Sequence, residues 1–142
     1  MVNIRMSPKP ESRLWKSLRD GVTGIHWVRI ESWASPGVPD VNGCGEFGEF
    51  WIELKVTKSN RVVLSPHQIS WHLTRARHSG RSYILAREAS RDPLFLFSGN
   101  QAKDLADKKI SQISPMVKIT YPYDWTKLMD TIAKDCRSNR SE

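Results

Sequence analysis

Two carboxylates and one lysine, divided between a loop and the middle of a strand, are the residues of this chain best suited to chemistry. Asp40 closes the stretch Gly37-Val38-Pro39-Asp40, and thirteen residues later comes Glu53-Leu54-Lys55. Along residues 49–56 alternate side chains of a strand point to opposite faces. Phe50, Ile52, Leu54 and Val56 then make one apolar face, and Glu53 and Lys55 share the other with Trp51 beside them. An acid and a lysine on so apolar a strand cost free energy unless something compensates them. A divalent cation is one compensation, and Asp40 could supply a second carboxylate, since Mg²⁺ is commonly held by one or two carboxylates plus water and phosphate oxygens. Metal-assisted phosphodiester hydrolysis needs that set. Each fragment alone has an ordinary reading, Pro39-Asp40 as a turn and Glu53 with Lys55 as an exposed pair on a one-sided sheet. Their order, and the hydrophobic strand around the second, favours the chemical one.

In these residues the chain resembles the VRR-NUC group of the PD-(D/E)xK nuclease superfamily. The pieces that carry the resemblance are Gly37 to Asp40, Glu53 to Lys55 and Ser65-Pro66-His67-Gln68, with Trp71 and Gly80 also fitting the pattern. It covers roughly residues 10–97. The resemblance implies an α/β, restriction-endonuclease-like fold with a central mixed β-sheet flanked by helices. It implies Mg²⁺- or Mn²⁺-dependent cleavage of nucleic acid that leaves a 5′-phosphate. Stand-alone members of the group resemble Holliday junction resolvases and look like structure-selective DNA endonucleases acting as homodimers. On this pattern Asp40, Glu53 and the main-chain carbonyl of Leu54 hold the metal, and an acid of the first helix, Glu11, is a candidate further ligand. Lys55 orients the attacking water or stabilises developing charge, and Gln68 points towards the metal water or a phosphate. Ligation by oxygen alone favours Mg²⁺ or Mn²⁺ over zinc.

The elements that must position these residues are legible from patterning. Residues 10–20 read as a first helix, with Pro10 in its first turn and Gly21 closing it. Glu11 falls on the stripe of Leu14 and Leu18, or is an ordinary first-turn acid favoured by the helix dipole. Residues 26–33 alternate as a strand. Glu31 in that strand competes with Glu11 as the third acid, although an ion pair with Arg29 on the same face is its preferred reading. Residues 43–48 look like a hairpin tip before the strand of Glu53, and residues 58–63 form a basic, polar connection. Residues 65–79 make a second helix. Ser65 is its N-cap, Pro66 takes the first position and Gly80 stops it, while Gln68 completes a capping box with Ser65. That structural duty of Gln68 competes with its functional one.

On the second helix Ile69, Leu73 and Ala76 should pack on the sheet. Trp71, Arg75 and His78 share another face, with Trp71 read as a core or dimer residue. Arg75, Arg77, Arg81 and Lys58 are candidate phosphate contacts, against the ordinary reading of a solvated charged face. Residues 82–87 and 94–98 read as further strands, 103–109 as a short helix and 117–120 as a last strand. Asp124 caps a final helix with a stripe of Trp125, Leu128, Ile132 and Cys136. Residues 1–9 read as a loose arm and 137–142 as a frayed tail. The C-terminal extension, 98–136, carries no recognised motif.

Length and composition set the frame. A chain of 142 residues reads as a single domain over 1–142, large enough to bury a core. Its net charge is +7, and a basic balance of that size points to a polyanionic partner. No apolar run is long enough to span a bilayer, the first residues lack the apolar core of a signal peptide, and two cysteines make no disulfide framework. A cytoplasmic protein is expected, and the compact size suggests a mobile-element or phage source. The function expected is a metal-dependent endonuclease selective for four-way DNA junctions. The alternatives are a less selective flap-cutting, nicking or restriction-type nuclease, and an inactive nucleic-acid-binding module of the same fold.

Overall fold

The computed structural model describes residues 10–31, 35–89 and 92–138. The described residues form helix α1 (Pro10–Gly21), strands β1 (His26–Arg29), β2 (Val41–Gly45) and β3 (Gly48–Thr57), helix α2 (Pro66–Arg77), strands β4 (Ser82–Glu88) and β5 (Leu94–Ser98), helix α3 (Ala102–Asp107), strand β6 (Val117–Ile119) and helix α4 (Trp125–Ser138), with single 3₁₀ turns at Gly99–Gln101 and Ile110–Gln112. The six strands make one sheet in sequence order. Only β3 and β4 run parallel, joined through α2; the other neighbours are antiparallel. This is the mixed, helix-flanked α/β sheet expected from the sequence.

Alternation along the strands divides the core in two. Phe50, Ile52, Leu54, Tyr83 and Leu85 point to one face, against Leu14 and Leu18 of α1 and Leu128, Ile132 and Cys136 of α4. Ile84, Ala86 and Phe97 point to the other, against Ala102 and Leu105 of α3 and Ile69 of α2. The Tyr83 hydroxyl donates to Asp135 at 2.6 Å and so ties α4 to the sheet. The N-cap reading of Asp124 is met by the Lys127 N–H, which donates to its side chain at 3.1 Å.

Several expected elements are corrected. The first strand stops at Arg29, because the chain leaves the sheet edge there to reach the Asp40 loop; Trp33 lies outside the described residues, as do the arm 1–9 and the tail from 139 onward. Residues 41–45, the last three of which fall in the hairpin tip expected over 43–48, form β2 and pair with β3 up to Gly45 opposite Gly48. On α2 the fully buried residue is His72, whereas Leu73 is half-exposed. The inward stripe is therefore set by Gln68 and His72, at i and i+4, and not by Leu73.

Candidate active site

β3 carries the centre of the site. Its parallel partner β4 buries it on one side, and β2 returns antiparallel on the other, so Glu53 lies in the interior of the sheet with only 1% of its surface exposed. The β2 strand starts immediately after Asp40. Register places Val41 opposite Ile52, which brings the Asp40 carboxylate back over β3. There Asp40 Oδ2 accepts the Leu54 N–H at 2.8 Å, and the Asp40 main-chain carbonyl accepts from Ile30 N–H at 2.7 Å. Asp40, Glu53, Leu54, Lys55 and Gln68 line one open pocket of about 280 Å³, with Glu11, Ser12 and Arg29 on its other wall. The Leu54 side chain is in the core on the opposite face, so Leu54 presents its main chain to this pocket.

Electrostatics single out the carboxylate pair. Burial, then a hydrogen-bonding contact with Asp40 and the charge of Asp40, push the Glu53 carboxyl up to about 9. Lys55 offsets this only in part. Glu53 Oε1 is buried with no hydrogen-bond partner among the described residues. Two facing acids, one with an unsatisfied buried oxygen, fit an oxygen-coordinated divalent cation, which would compensate both. No cluster of three or more acidic, histidine or cysteine side chains among the described residues is arranged to hold a metal. Glu11 thus borders the pocket without joining Asp40 and Glu53 in one ligand cluster.

Gln68 resolves a conflict. Structural and functional duties were expected to exclude each other, yet its Oε1 accepts the Ser65 N–H at 2.9 Å and the Lys55 ammonium at 3.2 Å. A carbonyl oxygen has two lone pairs, so the capping box, completed by Gln68 N–H donating to Ser65 Oγ at 3.1 Å, itself fixes Lys55. The Arg29–Glu31 pair does not form. Glu31 is exposed beyond the end of β1, while Arg29 faces the pocket over the ring of Trp15, 6.0 Å from its centre, with Nη1 buried and unpartnered. Of the two rival acids, only Glu11 reaches this wall.

Sequence reasoning missed Arg29 and His72. No sequence signal marks Arg29; only the register places it, opposite Val41 and so next to Asp40. His72 is wholly buried, hydrogen-bonded through Nδ1 to Ser82 Oγ at 2.9 Å, with Nε2 unpartnered among the described residues. Burial and the charge of Lys55 lower its imidazole to about 4, Asp40 opposing them. It is therefore a neutral polar support between α2 and the sheet. Its signal was the four-residue spacing from Gln68.

The basic residues separate. Arg75 lies over Trp71 at 4.4 Å and Trp51 at 5.8 Å, so Trp71 is the base of a cation–π stack and half-exposed, where a core or dimer role had been expected. The two line an open groove of about 550 Å³ with Pro36, His67 and Thr74. Arg77 folds back on its own helix, 3.4 Å from both Leu73 O and Thr74 Oγ1, and lines the cleft between α2 and α3. Arg81 is half-buried with Nε unpartnered, and Lys58 is exposed just after β3.

Gly37 holds the loop to this helix. It has φ +89°, and a Cβ there would collide with the main-chain carbonyl oxygen of His67. Gly37→Ala is expected to cost about 1–3 kcal/mol in urea unfolding and to displace the loop that carries Asp40. Wild-type stability in that variant would show that the loop can move away from α2.

No family model matches the chain, and no curated protein matches it. Among solved structures it is similar to Hjc of Archaeoglobus fulgidus, a Holliday junction resolvase from an archaeal hyperthermophile. The two are 21% identical over 64% of this chain and 70% of that one, with a TM-score of 0.48.

Proposed function

We propose that this chain is a metal-dependent, structure-selective DNA endonuclease that cuts four-way junctions as a homodimer. The observation that carries the reading is the pairing of half-buried Asp40 with buried Glu53, whose Oε1 has no partner among the described residues, beside a lysine held in place by Gln68. Asp40, Glu53 and the Leu54 carbonyl would hold Mg²⁺ or Mn²⁺, with Glu11 at the border of the same pocket. The ion, when bound, lowers the pKa of a water and offsets phosphate charge. Lys55 stabilises the charge that builds on the phosphate oxygens, and its position is fixed before substrate arrives. Arg29 binds a non-bridging phosphate oxygen from the opposite wall. Arg75, stacked on Trp71 and Trp51, contacts the duplex backbone along α2, and Arg81 and Lys58 extend that surface. A net charge of +7 supports a polyanionic substrate. A two-fold dimer would present two such sites to a branched, nearly two-fold substrate.

The test is cleavage of a labelled immobile four-way junction beside linear duplex of the same arms, in Mg²⁺, Mn²⁺ or EDTA. Paired symmetric nicks on the junction alone, abolished by EDTA, are expected. Equal cutting of both substrates would overturn the junction selectivity and leave a general metal nuclease. No cutting in either metal, with tight binding, would make this a binding module. Sedimentation at micromolar concentration should give the dimer mass; a monomer would overturn the two-site geometry.

A further inference from the structure

The C-terminal extension builds a second basic groove. It lies between α1 and the segment before α4, encloses about 360 Å³, and is lined by Arg13, Lys16, Ser17, Arg87, Tyr121 and Tyr123. Three cations and two tyrosines face it and, among the described residues, no acid does. Arg87 follows Tyr83 and Leu85 on the α1 face of β4, opposite Val56, and so leaves the sheet on the face away from Glu53 and Lys55. Its Nε is buried without a partner among the described residues. On α1, Glu11 and Ser12 line the carboxylate pocket and the next residue, Arg13, lines this groove. The two sites therefore draw on consecutive residues of one helix.

Tyr121 is the unusual member. It is 61% exposed, one of few large apolar side chains left in solvent. It is nevertheless braced. Its ring meets Tyr123 edge-on at 5.5 Å and 88°, and Tyr123 meets Trp125 at 5.4 Å and 65°. Its N–H donates to Asp92 at 2.6 Å, which occupies that carboxylate oxygen on the main chain. A rigid exposed ring beside unpaired cations is the arrangement that stacks a base while the backbone is held electrostatically. The volume is within the roughly 300–1,000 Å³ of small-ligand sites.

We propose that this groove binds an unpaired nucleotide of the DNA substrate, its base stacked on Tyr121 and its phosphates held by Arg13, Lys16 and Arg87. This rests on DNA being the ligand but not on cleavage. It assigns the extension the task of gripping a strand where pairing ends.

The experiment is fluorescence anisotropy in EDTA, where no cutting occurs, with a labelled single-stranded oligonucleotide and a blunt duplex. Tyr121→Ala should weaken single-strand binding about 5- to 100-fold, the range of one lost stacking contact, and change duplex binding less than about 2-fold. Tyr121→Phe should bind as wild type. The exposed double variant Arg13→Glu/Lys16→Glu should flatten the salt dependence of single-strand binding by about 1.4 in slope, the value for two phosphate contacts. Wild-type single-strand binding in both Tyr121→Ala and the double variant would overturn the proposal. So would an equal loss on duplex and single strand, which would make the groove a nonspecific basic surface. Failure of cleavage with these binding results intact would count against the nuclease reading alone.

Discussion

Asp40→Asn is expected to lower junction cleavage by about 10³-fold or more while leaving junction binding in EDTA within about 2-fold of wild type. The substitution separates charge from shape. Asparagine keeps an oxygen that can accept the Leu54 N–H, the contact that ties the loop to β3 at 2.8 Å, so the fold should hold. What it loses is the negative charge facing Glu53. A cation held between them then has one anionic ligand where it had two, and the water it would activate loses its place. Lys55→Ala should give a loss of the same kind, about 10²–10³-fold, because its ammonium is held by Gln68 at 3.2 Å and no other lysine among the described residues lines the pocket. Single-turnover cleavage with saturating enzyme, set beside anisotropy in EDTA, reads both quantities. Either variant cutting at the wild-type rate with unchanged binding would remove that residue from the mechanism.

The sheet was largely legible because its signals are local. Alternation marks β3, Ser65-Pro66 with Gln68 marks the start of α2, and the stripe of Leu128, Ile132 and Cys136 marks α4. The strand ahead of Glu53 was hidden by its composition: Val41-Asn42-Gly43-Cys44-Gly45 has no apolar alternation, and two of its residues are glycine. Gly43 is needed because Phe50 fills the space a Cβ would take, a constraint that exists only once the hairpin has closed. The site was legible where it depends on spacing and opaque where it depends on approach. Asp40, Glu53 and Lys55 could be grouped from alternation and order. Arg29 could not, since it reaches the pocket only because β1 ends early and Glu31 swings out into solvent. His72 escaped for another reason: a polar residue on the buried stripe of a helix breaks the apolar pattern by which such stripes are recognised.

The metal-free protein should lose stability as pH rises, and Glu53→Gln should abolish that loss. Glu53 titrates near 9 in the folded protein against an ordinary value of 4.5. Above pH 4.5 the unfolded chain sheds this proton and the folded one retains it, so stability falls with rising pH until the folded carboxyl ionises near 9. His72 acts in the opposite sense. Its folded value of about 4 lies below the ordinary 6.5, so its contribution is lost only as pH drops from 6.5 towards 4. The two slopes oppose each other between pH 4.5 and 6.5, and Glu53 acts alone above that, at up to about 1.4 kcal/mol per pH unit. Over pH 6.5 to 8.5 in EDTA the wild type should therefore lose roughly 1–3 kcal/mol, seen as a falling Tm. Glu53→Gln, with no ionisable group there, should show an almost flat Tm and exceed the wild type at pH 8.5. On the proposed function Mn²⁺ would bind the ionised pair and stabilise the folded state by mass action, so it should raise the wild-type Tm most at alkaline pH and leave the Gln variant nearly unchanged. A wild-type Tm independent of pH in EDTA would mean that Glu53 ionises as an ordinary solvated carboxylate. An equal Mn²⁺ shift in both proteins would place the ion elsewhere. On the proposed function the site would favour a cation because β3 buries the Glu53 carboxylate and the charge of Asp40 beside it raises the cost of ionising it without a counter-charge.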